Sequence, residues 1–293
     1  MIKHLVLSGG GIWGLSCYGA LRESEKCNFW KINNIKSIYS TSVGSMIAVI
    51  LSLKYDWETI DDFLIKRPWS QVFQFNLYSL LSSVDKRGIF EKKCIYDTFD
   101  SLFKGKDISL DVTMKEFYNI TNIDLHCFST EINGKKFTKV DFSHSTHPDW
   151  KLLDVVYCSS CLPILFSPHL DEDKCYIDGA ITNNYPLQHC LDTVENHDEI
   201  FGIKKMPFER KNTINLKSSL FDFLLYFVSK IVTVIEKNQT DSTIIQNQLE
   251  IMADSTNLYD VYSATSSIDE RIKLIKYGAD SWENYSKQQE SLC

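Results

Sequence analysis

Proline and glycine are both scarce, at 6 and 12 among 293 residues, which excludes a collagen-like repeat, a proline-rich spacer and a glycine-serine linker. No low-complexity tract and no internal repeat is found, so solenoids and tandem arrays are excluded as well. Basic residues do not outnumber acidic ones. Lys plus Arg is 31 against 38 for Asp plus Glu, a net charge of −7, and a surface of that average sign repels phosphate backbones; nucleic acid is not an expected partner. Long apolar runs are missing too. The longest, Leu220 to Ile235, is broken by Asp222, Ser229 and Lys230 and falls short of the roughly 20 residues that span a bilayer. Only Leu5, Val6 and Leu7 precede Gly9, far less than a signal peptide's apolar core, so a cytoplasmic or otherwise intracellular protein, in places peripheral to membranes, is expected. Nine cysteines, an odd number in a long chain without a secretory leader, read as reduced thiols rather than a disulfide framework.

What remains is an ordinary globular composition, 44% hydrophobic and 24% charged, arranged in an α/β pattern. Lys3 to Ser8 reads as a strand that stops at three glycines, and Leu15 to Glu25 as the helix after it. Ile35 to Ser40 and the almost wholly apolar Val43 to Lys54 repeat the strand, turn and helix. Trp57 to Lys66, Gln71 to Leu81 and Ile89 to Phe103 read as helices, and Thr113 with Glu116 as a capping box. Asn133-Gly134 between Ile123–Ser129 and Lys136–Val140 is a hairpin signal. Trp150 to Ser159 has helical spacing, while Lys174 to Ile177 and Ile200 to Lys204 read as strands. The expected organisation is an α/β unit over residues 1–206, then a mostly helical extension over 207–293 packed on it, with a strand near Leu249–Met252.

Three short motifs carry chemistry. Gly9, Gly10, Gly11 and Gly14 satisfy G-x-G-x-x-G between a strand and a helix. A dinucleotide site would want an acidic residue at the end of the second strand, where this chain has Tyr39, Ser40, Thr41 and Ser42. Backbone N–H groups unshielded by side chains can instead converge on an oxyanion. Ser40-Thr41-Ser42-Val43-Gly44 lies where a nucleophile elbow would place its serine, with small residues two positions before and after Ser42; the plainer alternative is that Ser42 caps the helix beginning at Val43. Asp178-Gly179-Ala180 ends a short strand with a turn-forming glycine, where a carboxylate can face a cleft or merely a surface turn. No late histidine stands in a marked turn, so a two-residue pair in which Asp178 takes the proton of Ser42 is the arrangement these motifs suggest.

In this order the motifs resemble the patatin-like phospholipase family: a glycine turn, a G-x-S-x-G elbow some thirty residues on, and a distant D-G-[GA]. Ser159-Ser160-Cys161-Leu162-Pro163 with Phe166 and Pro168 is similar to the family's S-S-x-x-P-x-x-F-x-P block. The likeness covers roughly residues 3–206. It implies a three-layer α/β/α fold with a mainly parallel sheet and a Ser-Asp dyad that hydrolyses acyl esters of phospholipids or related lipids at a membrane or micelle surface, with no cofactor and no metal in the catalytic step. Ser42 would be the nucleophile, Asp178 the base, and the N–H groups of Gly10 and Gly11 the oxyanion donors. Two positions differ from the family pattern: Ser40 stands for its glycine, and Trp13 for a basic residue before Gly14. A catalytically weak or silent lipid-binding relative and, further off, a nucleotide-binding protein are the alternatives.

Other features read more plainly. Cys158-x-x-Cys161 lacks the second pair of a zinc site, and His144 and His147 lack zincin spacing. His169 is the histidine to weigh as a substitute base. Asp171 to Asp173 read as a solvated turn. The aromatic stretch from Trp69 to Leu81 is either core or a lid over lipid, and Leu220 to Ile235 either core or a helix lying in a membrane interface.

Overall fold

The structure, a computed structural model, describes residues 1–207, 214–239, 245–253 and 258–292. The chain begins with β1 (His4–Leu7), α1 (Gly14–Lys26), β2 (Ser37–Thr41) and α2 (Val43–Ser52). A helical stretch follows: α3 (Trp57–Lys66), α4 (Trp69–Val72), α5 (Leu77–Lys86), β3 (Gly88–Phe90), α6 (Lys93–Lys104) and α7 (Met114–Thr121). Next come β4 (Asp124–Glu131), β5 (Thr138–Phe142), α8 (Leu152–Ser160), β6 (Ile164–Phe166), β7 (His169–Asp171) and β8 (Lys174–Asp178). The last elements are α9 (Ala180–Asn183), α10 (Leu187–Thr193), β9 (Ile200–Pro207), α11 (Leu220–Gln239), β10 (Gln248–Ala253), α12 (Leu258–Ser266) and α13 (Ile268–Leu292).

Among the described residues one eight-stranded sheet runs in the order β10-β9-β1-β2-β4-β8-β7, with β5 on the other edge of β4. The five strands from β10 to β4 are parallel, and β5, β7 and β8 add antiparallel pairs. Strand alternation splits the core between the two faces. Leu5, Leu7 and Ile38 belong to the larger cluster with α1, α2 and α8, whereas Val6, Tyr39 and Phe128 pack with Leu187 and Cys190 of α10. The parallel strands are apolar on both sides because helices cover both faces.

Residues 248–253 complete the sheet beside β9, and α13 lies against α1 almost backbone to backbone. A Cβ on Gly278 would fall 1.8 Å from the Ser16 carbonyl oxygen, and one on Gly19 would fall 1.9 Å from that of Ile275.

Two expected helices change. The Gln71–Leu81 helix is two, because Asn76 and Ser79 form a capping box that starts a new helix at Leu77. Ile89 and Phe90 leave the expected helix to pair in parallel with β6, and Gly88 permits it: a Cβ there would lie 2.2 Å from the Phe166 backbone. The Thr113–Glu116 box and the β4–β5 pairing agree with the sequence reading.

Candidate active site

Topology brings the two candidate residues together. β2 and β8 occupy the same edge of β4 and run toward each other, β2 parallel to it and β8 antiparallel. Thr41, the last residue of β2, pairs with Phe128, and Asp178, the last of β8, pairs with the adjacent Ser129. The C-terminal ends of both strands therefore meet, and Ser42, one residue past β2, faces Asp178. Its Oγ donates to Asp178 Oδ2 at 2.7 Å.

Ser42 holds φ 57° and ψ −128°, a left-handed conformation that a side-chain-bearing residue adopts only under constraint, at a cost of roughly 1–3 kcal/mol. The side chain makes no cap hydrogen bond to α2, so helix capping does not explain it. Close approach supplies the constraint. A Cβ on Gly44 would stand 2.7 Å from the Leu7 carbonyl oxygen, and one on Gly9 would stand 2.9 Å from Ser42 Cβ. The small residues around the serine thus let β1, the glycine turn and the elbow pack in direct contact.

Ser40, the departure from glycine, is absorbed by a buried chain of hydroxyls. Its Oγ lies 3.1 Å from Ser45 Oγ and donates to the His126 carbonyl at 3.3 Å. Ser45 Oγ is 3.0 Å from Ser159 Oγ, which accepts the Ser42 N–H at 2.9 Å and donates to the Phe128 carbonyl at 2.7 Å. Ser159 of the S-S-x-x-P block is therefore the acceptor that holds the elbow's own backbone amide. The neighbouring Ser160 hydroxyl lines the cavity at the site and has no hydrogen-bond partner among the described residues.

Asp178 is 2% exposed. Burial pushes its carboxyl up to about 6, against the pull of hydrogen bonds from Ser42 and from the Ala180 N–H, which donates to Oδ1 at 2.8 Å. At that value about nine in ten carboxylates are ionised at pH 7, so the group can accept a proton from the serine it touches. His169 is elsewhere, on β7 amid the rings of Trp150, Tyr157 and Tyr176, and it does not line the cavity. The eight described cysteines are free and, except for Cys27, buried.

Ser42, Asp178, Gly10 and Gly11 open on a cavity of about 910 Å³. Its walls are mainly apolar, with Met46, Ile50, Phe63, Trp69 and Phe73 prominent. The aromatic stretch after Pro68 thus forms wall: Trp69 is buried, while Phe73 and Phe75 meet Phe90 edge-on at 5.4 and 4.9 Å. The side chains of Leu77, Tyr78 and Leu80 lie outside the described residues. α11 contributes Tyr226 and Val232 to the cavity, and turns Leu220, Phe223, Phe227 and Val234 outward, all about half exposed or more. No helix among the described residues is long and apolar enough to cross a membrane.

The glycine turn has features the sequence reading missed. The Gly9 N–H is bonded to the Asn184 carbonyl at 3.1 Å. Trp13 is buried at 3% exposure and does not line the main cavity. The basic residue that reaches the turn is Lys205 of β9, whose stem would lie 2.8 Å from a Cβ on Gly10 and which lines the cavity. Only the β1–β9 pairing, between segments nearly 200 residues apart, brings it there.

Comparison with known proteins agrees with this geometry. The family model for patatin-like phospholipase matches residues 5–191. A "Probable lipid hydrolase 463L" of Invertebrate iridescent virus 6 is 32% identical over 187 residues, 63% of this chain and 62% of that protein, so the chain spans under two thirds of this relative's length. An "Uncharacterized protein R571" of Acanthamoeba polyphaga mimivirus is 28% identical over 230 residues, covering 78% and 74%. Among solved structures, VipD from Legionella pneumophila shares the fold at 17% identity and a TM-score of 0.55, over 97% of this chain and 66% of that one. With the family model spanning well over half of its residues, the chain belongs to the patatin-like phospholipase family.

Proposed function

We propose that this protein is a lipid acyl hydrolase of the phospholipase A type, acting through a Ser42–Asp178 dyad. The observation that carries the reading is the 2.7 Å hydrogen bond from Ser42 Oγ to a buried carboxylate at the wall of a large apolar cavity. Its volume of about 910 Å³ is at the upper end of the roughly 300–1,000 Å³ of ligand pockets. Apolar walls beside the nucleophile suit an acyl chain whose ester carbonyl rests at Ser42.

In the first half-reaction Ser42 Oγ attacks the carbonyl carbon while its proton passes to Asp178. The carbonyl oxygen gains negative charge beside the N–H groups of Gly10 and Gly11, at a turn that the Lys205 side chain adjoins. Each such preorganised donor is worth on the order of 3 kcal/mol in the transition state. Collapse expels the lysolipid alkoxide, which takes the proton from Asp178, and leaves the acyl group on Ser42. Water then attacks the acyl-enzyme, gives its proton to Asp178, and the fatty acid departs as Ser42 recovers a proton. Binding at a lipid surface is supported by the exposed apolar stripe of Leu220, Phe223, Phe227 and Val234 on the helix whose inner face lines the cavity.

Release of free fatty acid from mixed phosphatidylcholine vesicles, compared for wild type, Ser42→Ala and Asp178→Asn, tests the proposal. Activity that disappears in both variants is expected, as is covalent labelling of Ser42 by a fluorophosphonate. Hydrolysis that survives either substitution overturns the dyad. Vesicle binding without hydrolysis or labelling would make the protein a silent lipid-binding relative.

A further inference from the structure

On the face of the sheet opposite the hydroxyl chain, three metal-ligating side chains converge from separate elements. His126 is on β4, Asp141 on the adjacent β5, and His189 on α10. His126 Nδ1 lies 2.9 Å and His189 Nε2 lies 3.2 Å from the same oxygen, Asp141 Oδ2. One ligand atom from each of the three falls within 4.8 Å of the others, and no other group of three such residues gathers among the described residues. We propose that His126, Asp141 and His189 form a binding site for a divalent cation of the zinc class, separate from the dyad and not used in its chemistry.

Geometry supports this. A tetrahedral zinc ion with bonds of roughly 2.0–2.1 Å has donor-to-donor edges of about 3.3 Å. Two edges of the triangle, at 2.9 and 3.2 Å, are near that length, and the third, no longer than 4.8 Å, closes by rotation of the His189 ring, whose side chain is a quarter exposed. The orienting groups behind the ligands are also present. His126 Nε2 faces Asp124 Oδ2 at 3.3 Å, and Asp124 Oδ1 is held by His144 Nδ1 at 2.7 Å. The imidazole is further fixed by stacking on Tyr39, with centroids 4.4 Å apart and planes 9° off parallel. A carboxylate behind a histidine, aiming its other nitrogen at the metal, is the usual outer support of a zinc ligand. Charges balance as well: one bound carboxylate and the Asp124 carboxylate behind His126 offset a dication held by two neutral imidazoles.

Chain spacing could not reveal this site. Its ligands are separated by 15 and 48 positions and become neighbours only through the β4–β5 pairing and the packing of α10 on the sheet. Three protein ligands would leave the fourth tetrahedral position to a water, and the most exposed of the three side chains, His189 at 25%, marks the side from which an ion would enter.

The test uses the full chain, free of any affinity tag and stripped with a chelator, titrated with Co²⁺ and then with Zn²⁺. One equivalent of Co²⁺ with the intense visible bands of a tetrahedral site, displaced by one equivalent of Zn²⁺, is expected, together with a Zn²⁺-dependent rise in melting temperature. His189→Gln and Asp141→Asn should each weaken binding by more than about 100-fold, and His144→Gln, two shells out, by about 10-fold. Ser42→Ala and Cys27→Ser should leave it unchanged. His189 is partly exposed, so a cooperative metal-free melt of His189→Gln separates lost binding from lost folding. The proposal fails if wild type takes up no stoichiometric metal at micromolar concentrations, or if binding persists undiminished in folded His189→Gln. The cluster would then be a network of hydrogen-bonded ion pairs.

Discussion

Asp178→Asn is expected to make the protein more stable while abolishing hydrolysis, and the gain should depend on pH in a defined way. Burial raises the carboxyl from the usual 3.8 to about 6, so the fold prefers it protonated. The stability associated with this group is complete below pH 3.8 and is lost as pH rises through about 6, because over that interval the unfolded chain is ionised and the native one is not. A difference of about two units corresponds to about 3 kcal/mol at pH 7 and above. Asparagine fits the same contacts: Oδ1 can accept the Ala180 N–H that now reaches Asp178 Oδ1 at 2.8 Å, and Nδ2 can donate to Ser42 Oγ. At pH 8 the variant should therefore gain up to about 3 kcal/mol, or roughly 6 °C in melting temperature. Near pH 4 the advantage should vanish. Thermal and urea unfolding of both proteins from pH 4 to 8 measures it. A pH-independent difference, or a wild type that is the more stable protein at pH 8, would show that Asp178 is not a desolvated base and would refute the argument.

The same raised carboxyl predicts an acid limb in kcat/KM, with the rate falling about tenfold per unit below pH 6; a profile flat to pH 5 contradicts it. Ser42→Gly removes the positive-φ penalty and should raise stability by about 1 kcal/mol, seen in the urea midpoint, while fatty acid release is lost. Ser159→Ala leaves the buried Ser42 N–H without its acceptor, so a loss of about 1–3 kcal/mol in urea unfolding and a fall in kcat with little change in KM are expected. Deleting residues 207–293 strips β10 from β9 and α13 from α1, and the remainder should lose its cooperative melt; a soluble, active 1–206 fragment would show the tail to be an appendage.

Much of this site was legible in the chain because its parts are local. A short apolar run ending in glycines, or in a serine and a small residue, marks a strand end that turns into a helix, and Gly9 to Gly14, Ser40 to Gly44 and Asp178 to Ala180 each stand at such an end. What was hidden depends on distant contacts. Ser45 and Ser159 are 114 positions apart and share a hydrogen bond only because α2 and α8 pack on the same face. Lys205 reaches the glycine turn through β9, and no periodicity shows which strand borders β1. Ile89 differs for another reason: a short apolar run fits a buried strand as well as a helix, and only its partner β6 decides.

The head-to-head meeting of β2 and β8 also explains why no histidine stands between Ser42 and Asp178. An imidazole relay needs room for a ring between nucleophile and carboxylate; here adjacent register positions on β4 put the two side chains in direct contact. Direct contact makes basicity the difficulty, since an ordinary carboxylate holds a serine proton poorly. Burial addresses it, and the same burial destabilises the ionised native state by about 3 kcal/mol. Ser42's backbone adds roughly 1–3 kcal/mol. Together these costs are comparable to a large share of the 5–15 kcal/mol that holds a typical domain folded. Such a pair persists only where the surrounding backbone leaves no alternative: Gly44 against the Leu7 carbonyl, Gly9 against Ser42, and Gly179, where a Cβ would fall 2.1 Å from the Phe128 oxygen, close off the relaxed conformations. The glycines that first marked the site in the sequence are therefore the residues that let the backbone come close enough to hold it strained.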